Sequence, residues 1–333
     1  MISSDVERIN YLLKKANFET FFLRNFSKKS IKFCFDLLVK KDESIFNVKV
    51  FPNIDNLNPE VIRDIKILSH LLKSKPLLIG IKNRYQKLED NTIYERKGLP
   101  FITVNTLEMI LKDNSFPHIL ARRGGGVVFL NGSLMKKIRE KHEITRKELS
   151  ERLGVTKRTV SAYEQESMRP SEEMAMKILK ILKNRDLFKK INIFEWNIKL
   201  NLVDKEISEV KELSEFEAHL QTIIDDIGLS YYWNKKGSIP FKLSLFSSIN
   251  QIEKNNFYPL FSAITDEQNK INKVEFECLK MFNDIFNKTA LYIIDNNIRI
   301  PLVIKNNDIH IVKIKKLEEV DNEEEFIELI QES

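Results

Sequence analysis

Apolar residues recur at helical spacing through residues 133–183, and polar capping residues divide this stretch into four short predicted helices. The second helix follows Thr145, and Glu148 stands three residues later, which is the spacing of a capping box. Gly154 ends that helix, because glycine adopts the left-handed conformation that a tight turn requires. Ser133, Thr145 and Thr156 are the predicted caps, Pro170 and Ser171 open the fourth helix, and the inward positions are Leu134, Met135, Ile138, Leu149, Leu153, Val160, Tyr163, Met174, Ala175, Ile178, Leu179 and Leu182.

Two short helices joined by a glycine-containing turn form a helix-turn-helix, whose second helix enters the major groove of DNA. That recognition helix would cover Thr156 to Gln165. Arginine and lysine match the acceptor edge of guanine, and short hydroxyls contact bases or phosphates. We therefore expect Lys157, Arg158 and Ser161 to reach base edges, while the start of the preceding helix suits a phosphate. The predicted DNA-binding residues of the two helices are Thr145, Arg146, Lys147, Thr156, Lys157, Arg158, Thr159, Ser161 and Ala162.

The ordered set of caps, glycine turn and apolar positions resembles the Cro/CI-type, phage repressor-like family of helix-turn-helix proteins. The resemblance implies sequence-specific binding of double-stranded DNA, usually by a homodimer with recognition helices about 34 Å apart. The wider chain resembles Cro/CI-type transcriptional regulators of archaea, which also carry long flanking domains. The residues that match the family pattern are Leu134, Ile138, Arg139, Leu149, Leu153, Gly154, Val155, Val160, Tyr163, Glu164, Pro170 and Ser171.

Basic charge is concentrated on the same stretch of the chain. The net charge is +6, but residues 122–190 hold 18 Lys and Arg against 9 Asp and Glu, a balance of +9. Residues 200–333 hold 15 against 24, a balance of −9. Because a surface that binds phosphates is positive, we expect the central segment to contact DNA and the acidic C-terminal third to lie away from it.

Helix and strand patterns are mixed in both flanks of the central bundle. We predict an α+β multidomain protein, with an all-α helix-turn-helix bundle at residues 133–190 between two α/β domains that contain mixed sheets. The flanking domains would cover residues 1–121 and 200–333, and their shared order of elements favours a diverged duplication. The predicted N-terminal elements are helix Asp5–Asn17, strands Ile31–Val39 and Ile45–Phe51, helix Pro59–Ser74, strands Pro76–Ile81 and Phe101–Val104, and helix Thr106–Leu111; the C-terminal strand candidates include Leu302–Ile304.

The N-terminal order of elements, together with two residues, resembles the restriction-endonuclease-like fold. Active members hold a divalent cation with an Asp on one strand and an (Asp/Glu)-x-Lys on the next, since hard cations prefer oxygen ligands. Asp36 and Lys49 match two of these positions, but Asn47 stands where the second carboxylate is needed. The alternative is a structural role for both charged residues. We therefore expect no nuclease activity and assign no catalytic residue.

Arg122 and Arg123 precede three consecutive glycines, Gly124 to Gly126, which indicate a flexible linker or a tight turn. No Gly-Lys-Ser/Thr follows them, so the stretch is not a P-loop. We interpret residues 122–132 as a hinge between the N-terminal domain and the bundle. A basic arm beside the DNA is the compatible alternative, in which Arg122 and Arg123 neutralise phosphates.

Composition limits the remaining possibilities. The chain is 42% hydrophobic, which suffices for packed cores, and no run approaches the roughly 20 apolar residues of a membrane span. We expect a cytoplasmic protein without a disulfide framework, a metal site or a cofactor, because two distant cysteines and five scattered histidines show no ligand spacing. The predicted function is transcription regulation without enzymatic activity. A DNA-targeted nuclease and an adaptor between transcription proteins are the alternatives, and the sequence does not identify a small-molecule effector.

Overall fold

The chain folds as two compact units, each assembled from separate stretches of sequence. One unit holds Met1–Thr20, Leu37–Asn58 and Lys75–Lys199, and the other holds Phe21–Asp36, Pro59–Ser74 and Leu200–Ser333. The helix bundle therefore lies in the same unit as most of the N-terminal sheet. The computed structural model describes residues 2–22, 33–71, 73–122, 125–196, 213–234, 241–247, 258, 260–267, 273–286, 289–299 and 309–332.

An eight-stranded mixed sheet dominates the N-terminal part of the described chain, in the order β1-β2-β3-β4-β6-β5-β7-β8. Strands β2 and β3 are antiparallel, whereas β3, β4 and β6 run parallel. The apolar stretch Pro76–Ile81, predicted as a strand, lies in β4. Residues Pro76 to Gly80 of this strand are all buried, as expected for a strand packed on both faces of the sheet. The elements are α1 Ile2–Lys15, β1 Glu19–Phe22, β2 Leu37–Lys41, β3 Ser44–Asn53, α2 Pro59–Leu71, β4 Lys75–Lys82, β5 Thr92–Arg96, β6 Leu99–Ile102, α3 Val104–Asp113, β7 Ile119–Arg122 and β8 Gly125–Val128.

Gly125 and Gly126, part of the stretch that we interpreted as a hinge, lie on the last strand of this sheet. Strand β8 begins at Gly125 and pairs antiparallel with β7 from Arg122↔Gly125 to Ile119↔Val128. The backbone then continues to pair with the helix bundle: Val128 N–H donates to the Pro170 carbonyl at 3.0 Å, and an antiparallel bridge joins Leu130 to Phe188. These bonds tie the end of the sheet to Pro170, within the bundle, and to Phe188, which follows its last helix.

Four short helices follow, as the capping pattern predicted: α4 Gly132–Lys141, α5 Arg146–Leu153, α6 Lys157–Glu164 and α7 Glu172–Leu182. The prediction of Ser133 as the first cap is wrong. Asn131 caps α4 instead, because its side-chain oxygen accepts the Leu134 N–H at 3.0 Å and Gly132 is already helical. Most of the predicted apolar face packs in one core, which Leu130, Ile144 and Leu187 extend. Leu134 and Met174 are only partly buried and pack against this core. The predicted residues within it are Met135, Ile138, Leu149, Leu153, Val160, Tyr163, Ile178 and Leu182.

The C-terminal part forms a second mixed sheet, with the order β13-β12-β11-β10-β9 among its described strands. Its directions repeat those of the first sheet, since β10 and β11 are antiparallel while β11, β12 and β13 run parallel. The predicted strand Leu302–Ile304 lies outside the described residues. The elements are α8 Glu215–Ile227, β9 Ser230–Trp233, β10 Leu243–Phe246, β11 Leu260–Thr265, α9 Lys273–Phe286, β12 Ala290–Ile294, β13 His310–Lys313, α10 Ile314–Leu317 and α11 Glu323–Gln331.

Candidate nucleic-acid interface

The turn between α5 and α6 is set by hydrogen bonds and by one glycine. Thr145 Oγ1 accepts the Glu148 N–H at 3.2 Å, and the Glu148 carboxylate accepts the Thr145 N–H at 2.7 Å, which completes the predicted capping box. These bonds to the backbone and hydroxyl of Thr145 hold the pKa of Glu148 below its usual value. Gly154 has a φ of 70° and ends α5, and the Thr156 hydroxyl then caps α6 through the Thr159 N–H at 3.1 Å.

Three of the predicted DNA-binding cations are exposed side chains without an ion pair in the described parts of the chain. They are Lys147 on α5 and Lys157 and Arg158 on α6. Ser161 and Ala162, on the following turn of α6, are half-buried. Since Val160 and Tyr163 hold the opposite face of α6 in the core, the helix presents its basic first turn to solvent. This arrangement suits a helix that enters a DNA groove.

Three predicted hydroxyl contacts have a structural task within the bundle. Thr145 and Thr156 cap the two helices, and the Thr156 and Thr159 hydroxyls lie 2.9 Å apart. A capping oxygen keeps its lone pairs directed at the helix N-terminus. If these residues also contact DNA, the same hydroxyl must bond both the DNA and the backbone of its own helix.

A buried carboxylate joins the three helices around the turn, and the sequence pattern did not predict it. Glu164, at the end of α6, has a side chain that is only 2% exposed. Arg139 of α4 donates from Nε to Glu164 Oε1 at 2.5 Å, and Arg146 of α5 donates from Nε to Glu164 Oε2 at 2.7 Å. Arg146, predicted as a phosphate contact, therefore also fixes the start of α5 against the end of α6.

The two arginines differ in how far they are removed from water. The Arg139 side chain is 7% exposed, and its Nη1 also donates to the Ile144 carbonyl at 2.8 Å, whereas Arg146 is 36% exposed. Burial lowers the pKa of Arg139, but the hydrogen bonds and negative charges of Glu164 and Glu140 together outweigh burial and raise that pKa above its usual value. Arg139 is thus a structural cation, while Arg146 keeps donors that face solvent.

The start of α4 makes a close contact with the end of α6. A Cβ atom at Gly132 would lie 2.2 Å from the Glu164 carbonyl oxygen, so only glycine fits there. The Gly132 N–H donates to Glu166 Oε1 at 3.0 Å, and Lys189 holds the other oxygen of that carboxylate. The bond from Lys189, with the Gly132 bond, keeps the pKa of Glu166 low. A glycine at the first position of a helix was the available sequence signal for this contact.

The predicted basic arm is described only in part. Arg122 lies at the end of β7, where its guanidinium pairs with Glu95 of β5 at 2.8 Å. This pair is partly exposed, so water competes with it. Arg123 lies outside the described residues. The structure therefore gives Arg122 an acidic partner within the sheet, which the sequence did not predict.

A family model described as "Helix-turn-helix" matches residues 135–187, which span the four helices just described. The central bundle is a Cro/CI-type helix-turn-helix domain. A second model, described as "PD-(D/E)XK superfamily domain", matches residues 4–117 and confirms the endonuclease-like resemblance of the region that precedes the helix-turn-helix domain. No solved structure matches the chain.

Archaeal relatives match the helix-turn-helix domain together with both flanks. A protein of Methanococcus maripaludis strain C6 is 29% identical over 92% of this chain and 91% of its own length. Proteins of Pyrococcus abyssi (27% identical, 98% and 96% covered) and Archaeoglobus fulgidus (26% identical, 100% and 98% covered) match nearly end to end. Each is named "Putative HTH-type transcriptional regulatory protein". Transcription regulation is thus the role that the names of these relatives suggest for them.

The PD-(D/E)XK-like region lacks the donor set of an active nuclease. Asp36 immediately precedes β2, and Asn47 and Lys49 lie on β3, where Asn47 is 1% exposed. An amide replaces the carboxylate that a divalent cation requires at this position, so the residues present do not fit a nuclease metal. Within the described ranges, no group of three or more His, Cys, Asp or Glu side chains could hold a metal ion.

The second sheet offers still fewer polar groups at the corresponding positions. The two sheets can be aligned by the first residues of β2 and β10, which are Leu37 and Leu243. Across the strand pair, Leu37 is opposite Val48 and Leu243 is opposite Ser262. Asn47 and Lys49 of the first sheet thus correspond to Phe261 and Ala263. These side chains cannot bind a cation.

Among the described helices, none is long and apolar enough to cross a membrane.

Proposed function

We propose that this chain is a transcriptional regulator that binds specific sites on double-stranded DNA through α6. The observation that carries the proposal is the exposed basic first turn of α6, with Lys157 and Arg158 unpaired in the described chain, on a helix whose position the Glu164 contacts fix. A pre-positioned helix loses little conformational entropy on binding. The names of the archaeal relatives support regulation as the biological outcome.

In the proposed mechanism, phosphate contacts position the protein and base contacts select the site. Lys147 and the solvent-facing donors of Arg146 neutralise phosphates beside the groove. Lys157 and Arg158 present donors to guanine edges, and Ser161 contacts the next base step. No bond is made or broken in these steps, so we propose a protein without enzymatic activity and without a cofactor.

The family pattern further supports a homodimer. Two copies related by a two-fold axis would place their α6 helices about 34 Å apart, on half-sites one helical turn apart. A near-palindromic operator follows from that symmetry. Analytical ultracentrifugation of the full chain, alone and with operator DNA, tests the stoichiometry.

The first experiment is a pull-down of fragmented host DNA on the purified full chain at two salt concentrations, followed by sequencing. We expect an inverted-repeat motif that persists at the higher salt. Featureless enrichment that disappears with salt would show binding by counterion release alone and would contradict specific regulation.

Substitution of Arg158 then tests the contact itself. Arg158→Ala should weaken binding to the recovered site by about 1–3 kcal/mol and change random DNA much less. Arg185→Ala is the matched control, because Arg185 is an exposed arginine of the same unit outside α6. Equal losses on both DNAs would reduce Arg158 to a phosphate contact.

Nuclease activity is the second candidate, because the PD-(D/E)XK model matches residues 4–117. The donor set around Asn47 argues against it. A plasmid-nicking assay with Mg²⁺ decides the question: cleavage that Asp36→Ala abolishes would establish an enzyme, and no cleavage is the expected result.

A further inference from the structure

The connection between β4 and β5 displays the most exposed large apolar side chain of the described residues. Tyr85 is 85% exposed, compared with 63% for Tyr11, the next most exposed aromatic residue. Residues 82–87 form a short turn around Tyr85, which we name the tyrosine tip. Exposure of a large ring costs hydrophobic free energy, so a ring held this far from the core invites a functional explanation.

The tyrosine tip is held by its own hydrogen bonds. Asn83 Oδ1 accepts the Tyr85 and Gln86 N–H groups at 2.8 Å each, and the Asn83 N–H donates to the Gln86 carbonyl at 2.9 Å. The Arg84 N–H donates to Asp55 Oδ2 at 3.1 Å, which ties the turn to the residues after β3. Tyr85 is thus presented by an ordered turn.

Two lysines flank the tip in a position that is electrostatically unfavourable. Lys82 and Lys87 are direct partners in an antiparallel bridge, and both side chains are exposed. Like charges placed opposite each other across a strand pair destabilise it. Neither lysine has an ion pair within the described ranges. The Arg84 guanidinium adds a third positive charge and lies 5.9 Å from the centre of the Tyr85 ring.

Three cations around an exposed phenol have the chemistry of a phosphate-backbone contact. Lysine and arginine neutralise phosphates, and tyrosine hydroxyls are among the groups that donate to phosphate oxygens. A bound polyanion would also relieve the repulsion between Lys82 and Lys87. Double-stranded DNA is the polyanion that the same compact unit is proposed to hold through α6.

We propose that the tyrosine tip is a second DNA contact, which binds the phosphate backbone of duplex DNA. This inference rests on the proposed function in one respect: binding by α6 brings the duplex to the compact unit that carries the tip. Lys82, Arg84 and Lys87 neutralise phosphates, and Tyr85 packs its ring against the sugar and donates its hydroxyl to a phosphate. The contact carries no base readout, so it adds affinity without specificity.

The test is fluorescence anisotropy of a labelled mixed-sequence duplex with the full chain, over a series of salt concentrations. The double variant Lys82→Met/Lys87→Met should reduce the slope of log affinity against log salt by about 1.8, since each neutralised phosphate contributes about 0.9. Tyr85→Ala should weaken binding at every salt concentration and leave the slope unchanged. The matched controls are Tyr11→Ala and Lys14→Met/Lys15→Met, which alter an exposed ring and two exposed lysines of α1. They should change neither the affinity nor its salt dependence.

Thermal melting of the same variants gives a readout that does not involve DNA. Removal of the opposed lysines should leave the melting temperature equal or higher, because a repulsion is lost. A lower melting temperature would show that the pair stabilises the fold and would overturn the premise.

Arg158→Ala and the tip variants, measured in parallel on a duplex that carries the recovered specific site, separate this proposal from the α6 proposal, because Arg158→Ala is expected to change binding to random DNA much less. Loss with Arg158→Ala but not with the tip variants would refute the tip contact and leave the proposed function standing, whereas the reverse result would refute the role of α6. The tip variants should also weaken binding of a labelled duplex more than binding of a single strand of the same sequence. A loss confined to single-strand binding would overturn the duplex assignment. If the tip variants bind DNA normally but lose binding to polyglutamate, the tip faces an acidic protein and the proposal is wrong.

Discussion

Replacement of Glu164 by glutamine tests how the helix-turn-helix domain is held together. The substitution keeps the volume of the side chain but removes the negative charge between Arg139 and Arg146. Glutamine has one acceptor oxygen, so at most one arginine keeps a full partner. Arg146, at 36% exposure, can regain hydration, whereas Arg139, at 7%, is left as a buried charge.

The expected loss of stability in Glu164→Gln follows from this difference in exposure. Loss of one partner of a buried ion pair costs about 3–5 kcal/mol. We expect the low end, about 3 kcal/mol, because only Arg139 is fully buried and it keeps its bond to the Ile144 carbonyl. At 1.36 kcal/mol per factor of ten, this corresponds to roughly 150-fold more frequent opening of the helices.

Hydrogen exchange measured by mass spectrometry on peptides from α4 to α6 reports that opening directly, since exchange tracks local unfolding free energy. The matched control is Glu173→Gln on α7, where an exposed carboxylate bonds Lys177 at 2.8 Å. It undergoes the same chemical change and should leave exchange unaltered. The pKa of Glu173 is lowered by Lys177, yet full exposure makes that pair a negligible contribution to stability.

The double variant Arg139→Met/Glu164→Leu completes the test. A buried ion pair replaced by apolar residues of similar volume is often neutral or stabilising, so much of the lost protection should return. The reasoning is refuted if Glu164→Gln exchanges no faster than Glu173→Gln. It is also refuted if the double variant is no better protected than the single one.

Three further predictions concern the helix contacts and the junction of the bundle with the sheet. Gly132→Ala should cost about 1–3 kcal/mol in urea unfolding, because the new methyl meets the Glu164 carbonyl; an unchanged midpoint would contradict the contact. Gly154→Ala should cost about 1 kcal/mol, since φ is 70° there, and a stabilised variant would be inconsistent with this cap. Burial lowers the pKa of His118, against the opposing charge of Glu172, and its ring stacks on Phe188 at 5.3 Å. The unfolded imidazole therefore binds protons first, and stability should fall as the pH drops below about 6.5. In urea unfolding, His118→Gln should flatten this slope between pH 7 and 5.5, and an unchanged slope would contradict the role of the buried imidazole.

The sequence predicted those parts of the fold that local chemistry determines. Thr145, Glu148 and Gly154 lie three to nine positions apart in the sequence, so their spacing alone specified the capping box and the turn. The endonuclease-like order of elements was likewise visible as alternating patterns. The cap at Ser133 was misplaced by two residues because Asn131 and Ser133 are both good caps, and only the contact of Gly132 with α6 decides between them.

Contacts between distant residues could not be read from spacing. The Arg139–Glu164 pair joins residues 25 positions apart, and both matched the family pattern without revealing that they touch. Gly125 and Gly126 read as a linker because glycine has low strand propensity. The structure places them in a hairpin, since strand pairing depends on the partner strand as much as on the residue. Strand β5 was also missed, although Thr92, Ile93 and Tyr94 are residues that strands favour.

The backbone pairing between the sheet and the bundle has a practical consequence for anyone who would transplant this DNA-binding module. The Asn131 N–H donates to the Leu187 carbonyl at 2.8 Å, the Lys189 N–H to Phe129 at 2.7 Å and the Ile191 N–H to Pro117 at 2.7 Å. A fragment cut at residues 133–190 would lose the cap of α4 and expose these groups. The bundle is therefore not an independent module, and a chimaeric regulator should keep it together with the N-terminal sheet, in which β7 also pairs with β5.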